Sequence, residues 1–169
     1  MKSTAQLPLT EIHTLEECCA LEEKCAHIYR HFGKIFSYSE EISSLWEKIA
    51  AEEDHHAHAF KLAIRKLKPG MADAGHCGKK LEKVMNTLEQ IHREVETNHP
   101  SLVEAFELAL YIEKSLAEFH ISSVVKFSDN HISNLFLEME KYDQGHLELL
   151  QESIDSLCSR MNTQTPLIN

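Results

Sequence analysis

The sequence predicts an all-α protein, a four-helix bundle made of two antiparallel hairpins joined by a long crossover that carries a short extra helix. Three observations predict it. Four segments place apolar residues at steps of three and four, the period of a helix with one buried face. Their connections run short, long, short, which pairs the first segment with the second and the third with the fourth. Only five Gly and four Pro occur in 169 residues, and no β-branched runs appear at strand spacing, so nothing signals a sheet.

Each element has its own punctuation. Thr14 followed by Glu17 reads as a capping box, after which the periodicity runs to about Phe36. Ser37 to Ser39 break it, and a second helix extends from about Glu40 to Leu67, stopping before Pro69-Gly70. The link from Lys68 to His99 opens with loop-like PGMADAGHCG. It continues with Leu81, Val84, Leu88, Ile91 and Val95 at helical spacing, a shorter helix expected on the outside of the bundle. The third long helix begins near Pro100-Ser101, with Ser101 and Glu104 as a second capping box, and reaches about Phe127. Ser128-Asp129-Asn130 form a break, and the fourth helix runs to about Cys158. The bundle thus occupies residues 12–158, and 159–169 read as a tail.

Composition narrows the function classes. With 27 acidic against 17 basic residues and a formal charge of −10, the surface repels phosphate backbones and anionic lipid, so neither nucleic acid nor membrane is an expected partner. Five Cys, an odd number without a CxxC pair, suggest neither a zinc ribbon nor a disulfide framework; Cys18 and Cys25 fall at apolar positions as small hydrophobes. The opening MKSTAQLPLTEIH lacks the apolar stretch of a signal peptide, and no run approaches membrane-span length, so a cytoplasmic location is expected.

The chemistry lies in residues that interrupt the apolar stripes. Helix one reads Leu15, Cys18, Glu22, Cys25, Tyr29, Phe32; helix two reads Leu45, Ile49, Glu53, His56, Phe60, Ile64. Helix three reads Phe106, Leu110, Glu113, Leu116, His120; helix four reads Ile132, Phe136, Met139, Asp143, His146, Leu150. Their spacing puts four carboxylates and several imidazoles on faces that must be buried. An unpaired buried carboxylate is very costly, and four in one core repel one another, so a positive group must sit among them. No Lys or Arg falls on these stripes, which argues against a metal-free ionic network.

The depths agree. Glu22 lies 16 residues before Tyr38, at the first turn, and Glu53 lies 15 after it; Glu113 lies 16 before Asp129, at the second turn, and Asp143 lies 14 after it. At about 1.5 Å per residue the members of each hairpin fall at nearly one height. His56 and His146 follow their carboxylates by three positions, roughly one turn. Two hairpins related by an approximate twofold axis then bring Glu22, Glu53, His56, Glu113, Asp143 and His146 to one point. The set suits a two-metal site, each metal taking a His and a terminal carboxylate and sharing bridging carboxylates. Mixed oxygen and nitrogen ligands favour iron or manganese over zinc or calcium.

On these residues the sequence resembles the ferritin-like superfamily and, within it, the rubrerythrin-type di-iron proteins. The resemblance is carried by Glu22 with Tyr29 in EEKCAHIY, Glu53 and His56 in AAEEDHHAHAF, Glu113 in ALYIEKSLAEFH, and Asp143 and His146 in EKYDQGH. It spans about residues 12–155 and matches the pattern of one Glu from each of two helices and a Glu-x-x-His from each of the others. It implies a ferritin-like bundle that binds two iron ions, with manganese or a mixed pair as alternatives. It also implies an oxidoreductase, of peroxidase or ferroxidase type, that reacts the metals with O2 or hydrogen peroxide, with an external electron donor as a further partner. A homodimer is expected. Iron storage or handling, and a metal-free helical binding module, are the competing readings. The chain departs from the family pattern: Asp143 stands where Glu is usual, His120 where Tyr is common, and Leu116 where an extra carboxylate occurs. Without a CxxC-based rubredoxin site, no electron relay within the same chain is implied.

The remaining polar residues have plainer expectations. Glu52 and His55 form an ExxH one position out of register and are expected in solvent; His58, His27 and His31 are expected to be exposed or at a subunit contact. His120, about 10 Å along its helix from Glu113, is expected to be a core histidine bonded to a neighbour. Tyr29 reads as packing, with a hydrogen bond to a metal ligand as the functional alternative. His76 and Cys77 read as part of a plain loop.

Overall fold

A computed structural model describes residues 9–66, 79–124 and 130–163. Five α-helices run in order: α1 Leu9–Ile35, α2 Glu40–Lys66, α3 Lys79–Thr97, α4 Leu102–Val124 and α5 Asn130–Thr163. No strand occurs among the described residues. The expected loop PGMADAGHCG and the break at Ser128-Asp129 lie outside them. None of the described helices is long and apolar enough to cross a membrane.

Helix α1 packs along α2, and α4 along α5, as two antiparallel hairpins; α3 lies against α1 and α4, while α2 meets α5 and α1 meets α4 across the bundle. The first turn is tight because Ser39 caps α2: its hydroxyl accepts from the Ile42 amide at 3.4 Å, and Glu40 and Glu41 complement the positive helix start. Ser43 Oγ donates to the Gly33 carbonyl at 3.0 Å and ties the two helices together beside this turn. The capping box expected at α4 is present in both directions, with Ser101 N donating to Glu104 Oε2 at 2.8 Å and Glu104 N donating to Ser101 Oγ at 3.3 Å.

Two helix ends differ from the sequence reading. Helix α1 begins at Leu9, so Thr14 is interior and its spacing to Glu17 caps nothing. Leu9 to His13 contain no breaker, whereas Pro8 directly precedes the helix, where its missing N–H costs nothing. Helix α5 runs on to Thr163 through residues read as tail, since neither Gly nor Pro interrupts it before Pro166.

Leu81, Val84, Leu88, Ile91 and Val95 bury the inner face of α3, as their spacing requires. Inside the bundle the core splits into two aromatic groups. Tyr29, Phe32, Trp46 and Phe106 stack near the first turn, with ring centroids 4.8 Å apart for Trp46–Phe106 and 5.1 Å for Phe32–Trp46. Phe60, Phe119 and Phe136 fill the other end, with Phe60–Phe136 at 5.5 Å. The polar residues of the stripes lie between these groups, in a layer dry on both sides.

Candidate metal centre

Each long helix delivers its polar group from near its middle. Glu22 stands 13 residues before the last residue of α1 and Glu53 stands 13 after the first of α2. Glu113 lies midway along α4, and Asp143 and His146 are on α5. All four carboxylates are fully buried, and so, nearly, are His56, His120 and His146. The common depth expected from residue counting is realised.

Two overlapping triads form, Glu22–Glu53–His56 and Glu53–Glu113–His146, with the ligand atoms of each within 4.8 Å of one another. Glu53 belongs to both, the geometry of a bridging carboxylate. His56 Nδ1 donates to Glu53 Oε2 at 3.0 Å and lies 3.8 Å from Glu22 Oε2. His146 Nδ1 donates to Glu113 Oε2 at 3.2 Å and lies 3.1 Å from Glu53 Oε1, off the hydrogen-bond direction. Asp143 is in the same layer but outside both triads; its Oδ2 accepts from His120 Nδ1 at 2.7 Å.

An approximate twofold relation appears in the residues seven positions past each helix-borne Glu. Tyr29, seven after Glu22, donates its hydroxyl to Glu113 Oε1 at 2.5 Å. His120, seven after Glu113, reaches back to Glu22, with Nε2 3.1 Å from Oε1. Each hairpin thus steadies the other's carboxylate. Tyr29 is therefore more than packing, although it also stacks on Trp46 at 5.9 Å. His120 is the core histidine bonded to a neighbour that the sequence suggested, but its neighbours are two of the candidate ligands. Its distance along α4 from Glu113 is immaterial, because it points across the bundle to α1 and α5. With one methylene less than Glu, Asp143 reaches less far, and the His120 ring occupies the space in between.

Glu52 corrects the sequence reading. Its Oε2 lies 2.7 Å from His146 Nε2, and its side chain is 32% exposed, so it faces α5 rather than open solvent. Nδ1 of His146 faces the carboxylates while Nε2 faces Glu52, the arrangement in which a carboxylate orients a metal-binding imidazole. No spacing rule on α2 alone identifies this contact. Its one signal is adjacency to Glu53 on a helix that faces α5. His55 and His58 are exposed, as expected.

Without a metal the histidines supply the positive charge. Burial disfavours their charged form, but the attraction of the carboxylates that accept their hydrogen bonds outweighs it, pushing His56 and His120 up to about 10 and His146 up to about 12. Burial also opposes ionisation of Glu22, yet the His120 and His56 imidazoles beside it bring it down to about 2. Burial raises Glu113, reinforced by the charge of Glu53, and burial raises Asp143. Four carboxylates still face only three imidazoles. Both oxygens of Glu22, Glu53 Oε1, Asp143 Oδ1 and His120 Nε2 have no hydrogen-bond partner. Buried atoms of this kind are expensive to leave unsatisfied. Oxygen and imidazole donors converging on one dry layer fit a pair of divalent cations, which would satisfy these atoms in place of protons.

A family model described as Rubrerythrin matches residues 13–154. No curated protein and no solved structure matches the chain. The match extends from α1 into α5 and takes in every residue of both triads, together with Asp143 and His120. The chain belongs to the rubrerythrin family, a ferritin-like di-iron family.

Proposed function

We propose that this protein binds two iron ions through Glu22, Glu53, His56, Glu113, Asp143 and His146 and uses them to reduce hydrogen peroxide or O2. The observation that carries the reading is the pair of buried triads sharing Glu53, with five polar atoms around them lacking hydrogen-bond partners. When bound, a ferrous pair supplies one electron from each iron, so that with two protons one peroxide becomes two waters.

The chain's own residues do the rest. Glu53 turns Oε2 toward His56 and Oε1 toward His146, so it would serve both triads. His56 and His146 present Nδ1 inward, and Glu52 holds the far nitrogen of His146. Tyr29 holds Glu113, and His120 holds Glu22 and Asp143, so each carboxylate keeps its direction through a change of charge. The aromatic groups on both sides exclude water from the layer. The α2–α5 face offers a small oxidant a way in, because half-exposed Tyr142 packs its ring 5.0 Å from His56 and partly exposed Glu52 borders His146. With iron bound, an external electron donor would be needed to restore the ferrous pair.

Anaerobic loading with ferrous iron, followed by separate additions of O2 and peroxide under optical monitoring, tests this. Two irons per chain and a new absorption band with the preferred oxidant are expected. Glu53→Ala and His146→Ala should each lose one or both irons and all reactivity. Unchanged iron content in both variants would show that the ligand assignment is wrong.

A further inference from the structure

A second cluster of metal-binding side chains lies on the outside of the bundle. His27, on the outer face of α1, meets His92 and Glu96 of α3, and one ligand atom from each of the three lies within 4.8 Å of the others. The two imidazoles approach edge to face, with centroids 4.7 Å apart and planes at 86°. His92 and Glu96 are one helical turn apart, and Glu96 Oε1 is 3.4 Å from His92 Nε2. That nitrogen is shielded from solvent yet has no hydrogen-bond partner, because the carboxylate sits off its N–H direction. A buried imidazole nitrogen facing a second imidazole and a carboxylate lacks a ligand of its own.

We propose that His27, His92 and Glu96 form a metal site separate from the core pair, suited to a late first-row divalent ion such as zinc, which ties α3 to α1. Two imidazoles and one carboxylate form a three-residue set that zinc accepts with water in the fourth position. Glu96 Oε1 and His92 Nε2, 3.4 Å apart, already match the edge of a zinc tetrahedron, about 3.4 Å for metal–ligand bonds near 2.0 Å, and the three ligand atoms together span no more than 4.8 Å. His27 and Glu96 are exposed and can rotate inward to close the gap, while His92 is held by packing. Burial lowers the pKa of His92, with Glu96 opposing and His27, Lys24 and His31 reinforcing. One turn further along α1, His31 Nε2 bonds the Val95 carbonyl at 3.1 Å and holds the two helices in register beside the site. The crossover helix packs on α1 and α4 through its apolar face, so a bound ion would fasten the link between the hairpins.

Zinc stoichiometry of the full chain tests the proposal. Protein stripped by chelator is equilibrated with Zn2+, freed of unbound ion and analysed for bound metal. His92→Ala and the double variant His27→Ala/Glu96→Gln are each expected to hold one zinc fewer than the unsubstituted chain. The double variant changes only exposed positions, so loss of folding does not confuse the count. The same difference is expected in a Glu53→Ala background, which separates this site from the core: a core that takes no metal leaves the difference intact. Equal zinc content with and without the substitutions overturns the proposal. Hydrogen exchange of the α3 amides should slow on adding zinc to the unsubstituted chain and not to the variants. An extra zinc bound without that slowing overturns the role in fastening α3.

Discussion

Removing the Glu52 carboxylate should weaken metal binding although Glu52 is no candidate ligand. In Glu52→Ala, His146 loses its 2.7 Å hydrogen bond at Nε2 to a charged acceptor, while Nδ1 keeps Glu113 at 3.2 Å and Glu53 at 3.1 Å. Loss of a partner that orients a metal-binding histidine typically lowers affinity 10- to 100-fold. Glu52 is 32% exposed, and its other oxygen lies 3.9 Å from Lys48 Nζ, so solvent and a competing cation weaken its hold. The low end applies: about tenfold, or ~1.4 kcal/mol. Glu52→Gln keeps an oxygen acceptor and should lose less. Competition between the protein and a chromophoric chelator for ferrous or cobaltous ion measures the change, with exposed His55→Ala as the control that should lose nothing. If Glu52→Ala binds metal as tightly as the unsubstituted chain, the contact does not orient His146 and the reasoning fails.

Further outcomes follow from the same geometry. Tyr29→Phe keeps the stacking on Trp46 but leaves Glu113 Oε1 without its donor, and should destabilise the metal-free protein by about 2 kcal/mol; a lowered urea midpoint at constant slope reports this, and an unmoved midpoint contradicts it. Phe136→Ala opens a cavity against Phe60 and Phe119 and should cost about 3–5 kcal/mol in the same assay. In metal-free protein, His56 and His120 near 10 and His146 near 12 stand above their ordinary 6.5. The stabilisation they contribute is complete below 6.5 and is lost as pH rises through about 10 to 12. The thermal midpoint should therefore fall across that alkaline window, and a flat profile there would contradict the ion-pair network. Metal binding at neutral pH should also release protons from His56 and His146, which calorimetry in buffers of different ionisation enthalpy counts.

The hairpins, the crossover helix and the depth of the polar layer were legible in the chain because each is a property of one helix at a time. A carboxylate at position 22 among Leu15, Cys18, Cys25 and Phe32 is misplaced whatever surrounds it, and counting from Tyr38 gives its height without knowing its neighbours. The Ser101–Glu104 box was legible for the same reason, being closed within four residues. Thr14–Glu17 has the same spelling and caps nothing, because the residues before Thr14 continue the helix and a local motif cannot report what precedes it.

Periodicity and chain order thus determine that this is a helical bundle and which six side chains share its central layer. Only the tertiary structure decides which of their neighbours touch them. Glu52 meets His146 across 94 residues and Tyr29 meets Glu113 across 84, while His120 finds Glu22 and Asp143 rather than its own helix mate. Glu52 is one residue, roughly 100° around the helix, from Glu53, at the margin of the buried stripe. Whether a marginal residue faces water or another helix depends on how the neighbouring helix is rotated and how closely it approaches. His27 and His92 meet for the same reason, since the rotation of α3 against α1 is set by packing over their whole contact and not by the residues on either side of each histidine.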